Sequence, residues 1–451
     1  DLVNALVKQS LHRANARLLS YYYDESGPMF DWLLEGLERD KDYEFLKTAR
    51  GEPHMDNYFF MKFVPYVEEY DYRDEYYPYF FGSFCTIPDS KWVWDNAVKR
   101  SKDGGAEYYF ALYVEQLIKD SSGKVVGCYA QDEDGNYYKF NASKAVILAC
   151  GDIGSNEEMR NYYVPQVSMF GSFYDRFDSK GNLSNTGDGI KMALWAGASM
   201  EIGPYAPMTH HAGGALGINA FLQVNRNGER FMNEDIPGQQ ISNQLVRQPG
   251  GFSWQIFDDN WRNELASQPA GHNCINWWLS DEEAEKMPWI WSGPAPDYNI
   301  TYDKLFFEGR PECMAPAITC YADTLNELAD KMEVDAATLK ATIDRYNENC
   351  EMGEDRDFGK TAKRLYPITK PPFYGMKFTQ CEMLVCVAGI NCDTNLHAMD
   401  AESNIIPGLY VCGNNGGGRF LVEYPVAICG LSLASAAVMG KLAGENAAKG
   451  I

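Results

Sequence analysis

The segment Thr186-Gly187-Asp188-Gly189 places a polar, flexible loop directly before an apolar pattern at helical spacing. The first N–H groups of a helix lack intrahelical acceptors, so such a loop can seat an anion or another polar ligand. An ordinary helix cap, in which Thr186 or Asp188 accepts from the first turn, explains the same residues equally well. Asp188 is therefore a candidate ligand-binding residue.

Two apolar runs end in glycine, at Gly151 and at Gly413. The run 145–150 is continuous, as expected for a strand that is buried on both faces of a parallel sheet. Open α/β sheets bind ligands outside the carboxyl ends of their strands, where a glycine lets the backbone approach a cofactor closely. The sequence therefore predicts a cofactor crevice at Gly151.

The 12 cysteines include no Cys-x-x-Cys pair. Cys381, Cys386 and Cys392 are close in sequence, but no nearby His or second closely spaced pair completes a zinc pattern. Most others, among them Cys150 and Cys412, stand in apolar segments, where a free thiol behaves as a small hydrophobe. We expect buried thiols and no metal site.

The 451 residues carry 63 acidic and 40 basic side chains, which gives a net charge of −23 and a pI near 4.7. This charge repels nucleic-acid phosphates and anionic lipids, so the sequence predicts neither nucleic acid nor a membrane surface as a partner. No apolar run approaches the roughly 20 residues that a membrane-spanning helix needs. A chain of this length with 45% hydrophobic residues is expected to form two domains.

Apolar periodicity and turn signals predict the elements that position these residues. Helical spacing predicts helices between Leu2 and Leu37, with a break near Gly27-Pro28. Turn signals between apolar stretches predict an antiparallel meander, and apolar periodicity predicts two later helices. The predicted strands are 112–118, 125–132 and 137–140, and the later helices are 338–349 and 431–448.

Five segments follow one another along the chain: Gly123-Lys124-Val125-Val126-Gly127, Ala145-Val146-Ile147-Leu148-Ala149-Cys150-Gly151, Thr186-Gly187-Asp188-Gly189, Asn227-Gly228-Glu229-Arg230-Phe231-Met232-Asn233-Glu234, and Pro407-Gly408-Leu409-Tyr410-Val411-Cys412-Gly413-Asn414. Together they resemble the fumarate reductase and succinate dehydrogenase flavoprotein family, which also contains urocanate reductases and ketosteroid dehydrogenases. The family's Gly-x-Gly-x-x-Gly loop is absent, so we expect this sequence to begin after it.

The resemblance implies an α/β fold, in which a Rossmann-like FAD-binding domain is interrupted by an inserted α+β capping domain. We expect the FAD-binding domain at 1–208 and 386–451, and the capping or substrate domain at 209–385. The cofactor implied by the resemblance is FAD.

The resemblance also implies FAD-binding roles for six positions, which are Val114, Gly151, Asp188, Asn414, Ser432 and Leu433. Asn414 stands where the family usually has Glu. The backbone of Ser432 and Leu433 would face N1 and O2 of the flavin, where reduction adds negative charge that a helix N-terminus stabilises. A simple helix cap is the alternative for Ser432.

The resemblance breaks at the substrate site. The family's dicarboxylate reductases use one arginine as proton donor and further Arg and His residues as carboxylate clamps. Here Gly238 stands at the donor position, Leu384-Val385 replaces a His pair, and Tyr424 matches the clamp arginine. We expect a substrate other than a dicarboxylate, such as an enone, an aromatic acid or a steroid-like ketone.

The Tyr-Pro element at Tyr424 resembles that of the ketosteroid dehydrogenase and urocanate reductase branches. A tyrosine with a pKa of about 10 can donate a proton to an enolate-like centre or polarise a carbonyl beside a C=C bond. Tyr424 is therefore the main catalytic candidate, with a buried core tyrosine as the alternative. The family places a substrate-binding His in a register that Thr209, His210 or His211 could occupy, and we favour His210. Arg230 and Arg247 are alternative donors.

Two functions of different classes fit this sequence. One is an FAD-dependent oxidoreductase acting on CH–CH groups, which transfers a hydride between flavin N5 and an activated C=C bond. Its partners are a small-molecule substrate and an electron donor, either a protein, a reduced flavin or a quinol. The other is a non-catalytic or partner-dependent fragment that needs a separate N-terminal segment to bind FAD.

Overall fold

The computed structural model describes residues 1–45, 59–63, 70–87, 90–165, 172–173, 176–178, 180–205, 207–212, 220–266, 268 and 319–451. Its α-helices are α1 (Leu2–Gln9), α2 (Ala16–Leu34), α3 (Lys91–Asp103), α4 (Glu157–Tyr163), α5 (Asp188–Trp195), α6 (Gly238–Leu245), α7 (Trp261–Ala266), α8 (Leu325–Met332), α9 (Ala336–Met352) and α10 (Leu431–Lys449). Within this part of the chain, none of the helices combines the length and apolarity needed to cross a bilayer.

The strands are short apart from one. They are β1 (Tyr43–Phe45), β2 (Phe59–Phe63), β3 (Phe84–Ile87), β4 (Tyr113–Lys119), β5 (Val125–Gln131), β6 (Tyr137–Asn141), β7 (Val146–Leu148), β8 (Ser172–Phe173), β9 (Arg176–Phe177), β10 (Leu183–Ser184), β11 (Pro207–Ala212), β12 (Leu222–Val224), β13 (Ser253–Phe257), β14 (Thr319–Ala322), β15 (Phe373–Cys386), β16 (His397–Met399) and β17 (Ile405–Val411).

The N-terminal helices break earlier than the sequence predicts. Helix α2 runs through Gly27-Pro28, so the expectation of a break there was wrong. The break lies at 10–15, where the side chain of Asn15 accepts two N–H groups of the first turn of α2. Proline removes one helical hydrogen bond, but the buried side chains of Met29 and Leu33 anchor the helix beyond it.

The predicted meander is confirmed. Strands β4, β5 and β6 pair in order as an antiparallel sheet, with Leu117 opposite Cys128 and Cys128 opposite Phe140. Strand β7 belongs to a second sheet, in which it pairs in parallel with β17. Strand β17 pairs with β16 on its other side. Helix α10 contacts both parallel strands and α2. The two glycine-terminated runs therefore end at the same edge of one sheet.

The 14-residue strand β15 organises a larger sheet. It pairs with β11, β13 and β14 in antiparallel fashion and with β8 in parallel, while β12 continues the sheet beside β13. The predicted domain boundaries at 208/209 and 385/386 fall inside β11 and β15, which are neighbours in this sheet.

Within the described residues, two separate apolar clusters form the core. One draws residues from both flanks of the chain, including Leu6, Ile190, Val411 and Val438. The other lies wholly between Leu222 and Phe373 and packs strands β12 to β14 against α8 and α9. The division into an FAD-binding and a capping domain stays a prediction.

A buried cluster of charged side chains accompanies the second core. Arg230 donates from Nε and Nη2 to Glu234 at 2.8 and 2.9 Å, and from Nη1 and Nη2 to Asp355 at 2.9 and 2.8 Å. The guanidinium holds the pKa of Asp355 down at about 2, against the opposing effect of its burial. Lys360 lies 3.3 Å from Glu234 and donates to Tyr346 Oη at 2.9 Å. Arg230 is thus held by structural ion pairs and is no free proton donor.

Candidate functional site

The parallel strands β7 and β17 end beside each other at an asparagine. Asn415 joins the two ends, because its Oδ1 accepts from Cys150 N at 2.5 Å and its Nδ2 donates to Gly151 O at 2.8 Å. The start of α5 approaches the same side chain so closely that a Cβ on Gly189 would lie 2.7 Å from Asn415 Oδ1. A glycine is therefore required there, and the predicted sites at Gly151 and Asp188 are neighbours.

A chain of hydrogen bonds runs from these strand ends to helix α10. Asn414 Nδ2 donates to Asp152 Oδ2 at 3.2 Å, and Arg419 Nη2 donates to Asn414 Oδ1 at 2.8 Å. Arg419 Nη1 donates to Ser435 Oγ at 2.9 Å, one turn inside α10. The network connects the predicted cofactor crevice to the helix predicted to face the flavin edge.

Sequence reasoning missed Arg419. Its guanidinium is buried, with the residue only 4% exposed, and its Nε has no hydrogen-bond partner within the part of the chain that the structure describes. A signal was present, because Arg419 is the only Arg or Lys between Lys377 and Lys441. A lone cation in such a long apolar and acidic stretch, directly after a run of glycines, indicates a specific role.

The predicted catalytic tyrosine lies deep in the structure. Tyr424 is 1% exposed, and its ring contacts the edge of Phe420 at a centroid distance of 5.0 Å. Its hydroxyl accepts from Ser432 N at 3.0 Å, in the first turn of α10. Burial raises the pKa of Tyr424, so the phenol keeps its proton at neutral pH. The structure thus connects Tyr424 and Ser432, two predicted site residues. The burial of Tyr424 is equally consistent with the core-tyrosine alternative.

Helix α6 brings polar, uncharged groups to the same region. It begins at Gly238, the position where the resemblance lacks the donor arginine. Its Gln239 Nε2 donates to Glu423 Oε1 at 2.5 Å and to Tyr424 O at 3.4 Å. Burial raises the pKa of Glu423 to about 7. Gln and Glu are ordinary surface residues in most sequences, so nothing in the pattern singled out this pair.

His210 and His211 lie on β11, where their backbones pair with Glu382 and Cys381 of β15. Helix α6 packs against β11, so the histidines and Gln239 belong to neighbouring elements. The alternative donor Arg247 is exposed just after α6. The structure therefore arranges β11, α6 and the loop that carries Tyr424 around one region.

Val114 and Asp188 line an open groove of about 880 Å³ between the meander and α5. Tyr129, Tyr137 and Trp195 add aromatic side chains to its walls. Burial opposes the charged form of Asp188, but hydrogen bonds from Lys191 and Thr186 outweigh it and lower the pKa of that carboxyl. An aromatic-lined groove with two carboxylates, on Glu115 and Asp188, suits a flat, hydrogen-bonding ligand such as a nucleoside.

Two surface positions border the strand ends. Leu433, in the first turn of α10, is 59% exposed. Cys150 is also exposed, so the expectation of a buried thiol was wrong there, because the residue lies beyond the last paired position of β7. Cys412, at the end of β17, is buried as expected.

A buried carboxyl supports the glycine loop that precedes Arg419. Glu201 accepts from Gly389 N at 3.2 Å and from Gly418 N at 2.5 Å. A Cβ on Gly417 would lie 2.6 Å from Glu201 Oε2, so the loop can pass this carboxyl only as glycine. Burial raises the pKa of Glu201 to about 7, with partial opposition from these hydrogen bonds and from Arg419.

The raised carboxyl pKa values predict an unusual pH dependence of stability. Burial raises the pKa of both Glu201 and Glu264 to about 7 from an ordinary 4.5. Such a group binds its proton more tightly in the folded state, so its stabilisation is complete below the ordinary value and is lost as the pH rises through about 7. We expect the free energy of unfolding to fall between about pH 5 and pH 8, by up to about 3 kcal/mol per group.

Glu264→Gln tests this pH dependence. The amide keeps an oxygen that accepts from Asn260 Nδ2, which now lies 3.1 Å from Glu264 Oε1, and it cannot ionise. Urea unfolding at a series of pH values should show a shallower decline for the variant than for the wild type. An unchanged slope would exclude Glu264 as a source of the decline.

The fold and the site together define a class: a mixed α/β protein in which two parallel strands end beside each other near a helix N-terminus, the place where open α/β sheets bind nucleotide cofactors. The profile of the family described as "FAD binding domain" matches residues 88–425. The chain belongs to this family, and its cofactor is FAD.

Individual relatives are reductases and dehydrogenases. The chain is 27% identical to the probable fumarate reductase Ifc3 of Shewanella frigidimarina, over 79% of this chain and 52% of that protein. It is 27% identical to the urocanate reductase of Eggerthella lenta, over 74% of this chain and 49% of that protein. The chain thus spans about half the length of the curated relatives it matches.

A solved structure supports the fold. The 3-ketosteroid-Δ4-(5α)-dehydrogenase of Rhodococcus jostii superimposes with a TM-score of 0.67 and 18% identity, over 99% of this chain and 83% of that one. The expected flavoprotein fold class is confirmed in this coarse form.

The residues present fit FAD. The groove at Val114 and Asp188 has aromatic walls and two carboxylates, and it adjoins the strand ends through α5. Beyond the strand ends lies the buried Nε of Arg419, a donor that finds no acceptor in the described part of the chain. A flat ligand with an electronegative edge supplies what these groups lack.

Proposed function

We propose that the chain is the catalytic part of an FAD-dependent reductase or dehydrogenase, which transfers a hydride between flavin N5 and an activated C=C bond of a substrate other than a dicarboxylate. The observation that carries the proposal is the 3.0 Å hydrogen bond from Ser432 N to Tyr424 Oη. This contact puts a phenol at the helix end proposed for the flavin N1–O2 edge. Proton donation would then take place beside the cofactor that transfers the hydride.

Six residues are proposed to hold the cofactor: Val114, Gly151, Asp188, Asn414, Ser432 and Leu433. When bound, FAD supplies hydride chemistry that no side chain provides. Gly151 and Asn414 lie at the strand ends, and Val114 and Asp188 lie in the adjoining groove. The positive end of the α10 dipole is proposed to stabilise negative charge at the flavin edge.

Tyr424 is proposed to hold the proton at Oη and to deliver it to the substrate, or to donate a hydrogen bond to a carbonyl beside the C=C bond. His210 and His211 of β11 are proposed to bind the substrate from the side of α6. Residues 209–385 are proposed to form the capping domain that excludes water during the reaction.

The groups around Tyr424 favour a substrate that is not doubly anionic. Helix α6 presents Gly238 and Gln239 there, and Glu423 adds a carboxyl instead of a cation. Two carboxylates lose their hydration on binding and need bidentate cationic partners in return. We therefore propose an enone, an aromatic acid or a steroid-like ketone as substrate, with electrons supplied by a protein, a reduced flavin or a quinol.

Fumarate is expected to be at least about 10²-fold poorer in kcat/KM than the best enone or aromatic acid, because Gly238, Leu384 and Tyr424 stand where the family's dicarboxylate reductases carry cationic side chains. The assay is anaerobic reduction of cyclohexenone, cinnamate, urocanate, a 3-ketosteroid and fumarate by the FAD-loaded protein with reduced methyl viologen. Fumarate turnover equal to that of the best substrate in the panel would contradict the proposal.

The second candidate function is a partner-dependent flavoprotein segment. Strand β7 is an edge strand of its sheet within the described residues, and its Ile147 is 38% exposed although parallel strands are normally covered on both faces. Leu433 of α10 is 59% exposed. On this proposal, the chain binds FAD only after a polypeptide with a Gly-x-Gly-x-x-Gly loop covers these residues.

Equilibrium dialysis with FAD separates the two candidates. The isolated protein retains about one FAD per chain if it is sufficient for binding. Retention only after addition of a βαβ polypeptide that carries the glycine loop would favour the partner-dependent segment.

A further inference from the structure

Arg419 lies in a setting that is unfavourable for a cation. The guanidinium is buried between the loop after β17 and helix α10, and its two hydrogen-bond acceptors, Asn414 Oδ1 and Ser435 Oγ, are both neutral. No described residue provides an acceptor for its Nε. Among the described residues, no carboxylate forms an ion pair with it. A buried charge without a paired opposite charge costs several kcal/mol.

The carboxyl that most affects Arg419 does not neutralise it. Burial of Arg419 lowers the pKa of the guanidinium and outweighs the attraction of Glu201, the carboxyl that acts on it most strongly. Glu201 already accepts the N–H groups of Gly389 and Gly418, and burial raises its own pKa to about 7. At neutral pH it therefore carries only part of a negative charge.

Helix α10 adds to the positive potential. The helix begins at Leu431 after Gly430, which is left-handed and provides no side-chain cap. The positive end of a helix dipole attracts anions and repels cations. Arg419 nevertheless contacts Ser435, one turn inside this end. Two positive groups beside each other, one with an unsatisfied donor, form a built site for an anion.

We propose that Arg419 stabilises the negative charge that two-electron reduction places on the N1–O2 edge of the flavin. This inference rests on the proposed function, in which that edge lies against Ser432 and Leu433. A hydride that adds to N5 brings two electrons and one proton, and the added electron pair is delocalised to N1 and O2. Arg419 and the first turn of α10 face this charge together, so the reduced state is favoured and N1 needs no second proton.

The test compares FAD-loaded wild type with Arg419→Met, Arg419→Gln and Arg419→Lys. Lys441→Met is the matched control, because Lys441 is on the same helix and pairs with Glu445 at 2.8 Å on the solvent side. The measurements are the two-electron midpoint potential by dye equilibration, the dissociation constant of the sulfite adduct at N5, and the dissociation constants of FAD and ADP. Sulfite is the probe, since its addition to N5 also moves an electron pair to N1 and O2.

The neutral variants should favour the oxidised flavin by about tenfold to a hundredfold, which lowers the potential by about 30 to 60 mV. Sulfite binding should weaken by a similar factor. In the neutral variants, the change of the potential with pH should correspond to two protons per two electrons. In the wild type it should correspond to one proton per two electrons. Arg419→Lys and Lys441→Met should keep the wild-type values within about threefold.

Two results would overturn the inference. One is an unchanged potential and sulfite affinity in FAD-loaded Arg419→Met or Arg419→Gln. The other is an equal loss of affinity for oxidised FAD and for ADP in both neutral variants. Arg419 would then bind the cofactor's pyrophosphate or stabilise the fold itself. Failure of the wild type to bind FAD would instead count against the proposed function.

Discussion

Tyr424→Phe is expected to slow turnover by about 10² to 10⁴, the range that a general acid contributes. The substitution removes Oη and with it the acceptor that now lies 3.0 Å from Ser432 N. The ring fills the same space, so the fold and bound FAD should persist. Reduction of the flavin by an artificial donor should be spared, because it needs no proton from the substrate side. Stopped-flow kinetics separates the two half-reactions.

Tyr410→Phe is the matched control for Tyr424→Phe. Tyr410 is 3% exposed on β17, and its hydroxyl donates to the carbonyl of Ile451, away from the proposed site. Tyr410→Phe also removes one buried hydroxyl, but its turnover should stay within about threefold of the wild type. Full turnover by Tyr424→Phe would establish the core-tyrosine alternative and move the search for the donor to His210 or His211.

Arg230→Met is expected to lower the free energy of unfolding by about 3 to 5 kcal/mol, the usual effect of removing one partner from a buried ion pair. The change leaves two buried carboxylates, on Glu234 and Asp355, with Lys360 as the remaining cation. It also removes the guanidinium that contacts the ring of Tyr346 at 5.0 Å. Urea unfolding measured by tryptophan fluorescence gives the change.

Arg345→Met provides the comparison for a surface ion pair. Arg345 is about half exposed and pairs with Asp357 at 2.9 Å and Glu348 at 3.0 Å. Exposed pairs contribute little after solvent screening, so this variant should lose far less stability than Arg230→Met. Equal losses in the two variants would show that the buried cluster is no more important than a surface pair.

Local patterns in the sequence were sufficient for the elements that flank the crevice. The meander, the strand before Gly151 and the C-terminal helix follow from apolar runs bounded by glycine and turn residues. The prediction of a break at Gly27-Pro28 was wrong, because packing of the later turns outweighs the one hydrogen bond that proline removes.

The polar contacts of the site could not be predicted from sequence patterns, because they join residues that are far apart in the chain. Asn415 bonds to Cys150 across 265 positions, and Gln239 bonds to Glu423 across 184 positions. Neither pair has a spacing that a pattern records. Arg419 shows the same limit, since its burial beside α10 and its neutral partners are visible only in the fold.

The most direct test of the central claim is anaerobic absorbance spectroscopy of the purified protein after incubation with FAD. We expect the visible flavin bands to remain after gel filtration and to be bleached by dithionite. The bands should return when an enone or aromatic acid is added, but not when fumarate is added. Absence of bound flavin, or reduced flavin that no C=C substrate reoxidises, would contradict it.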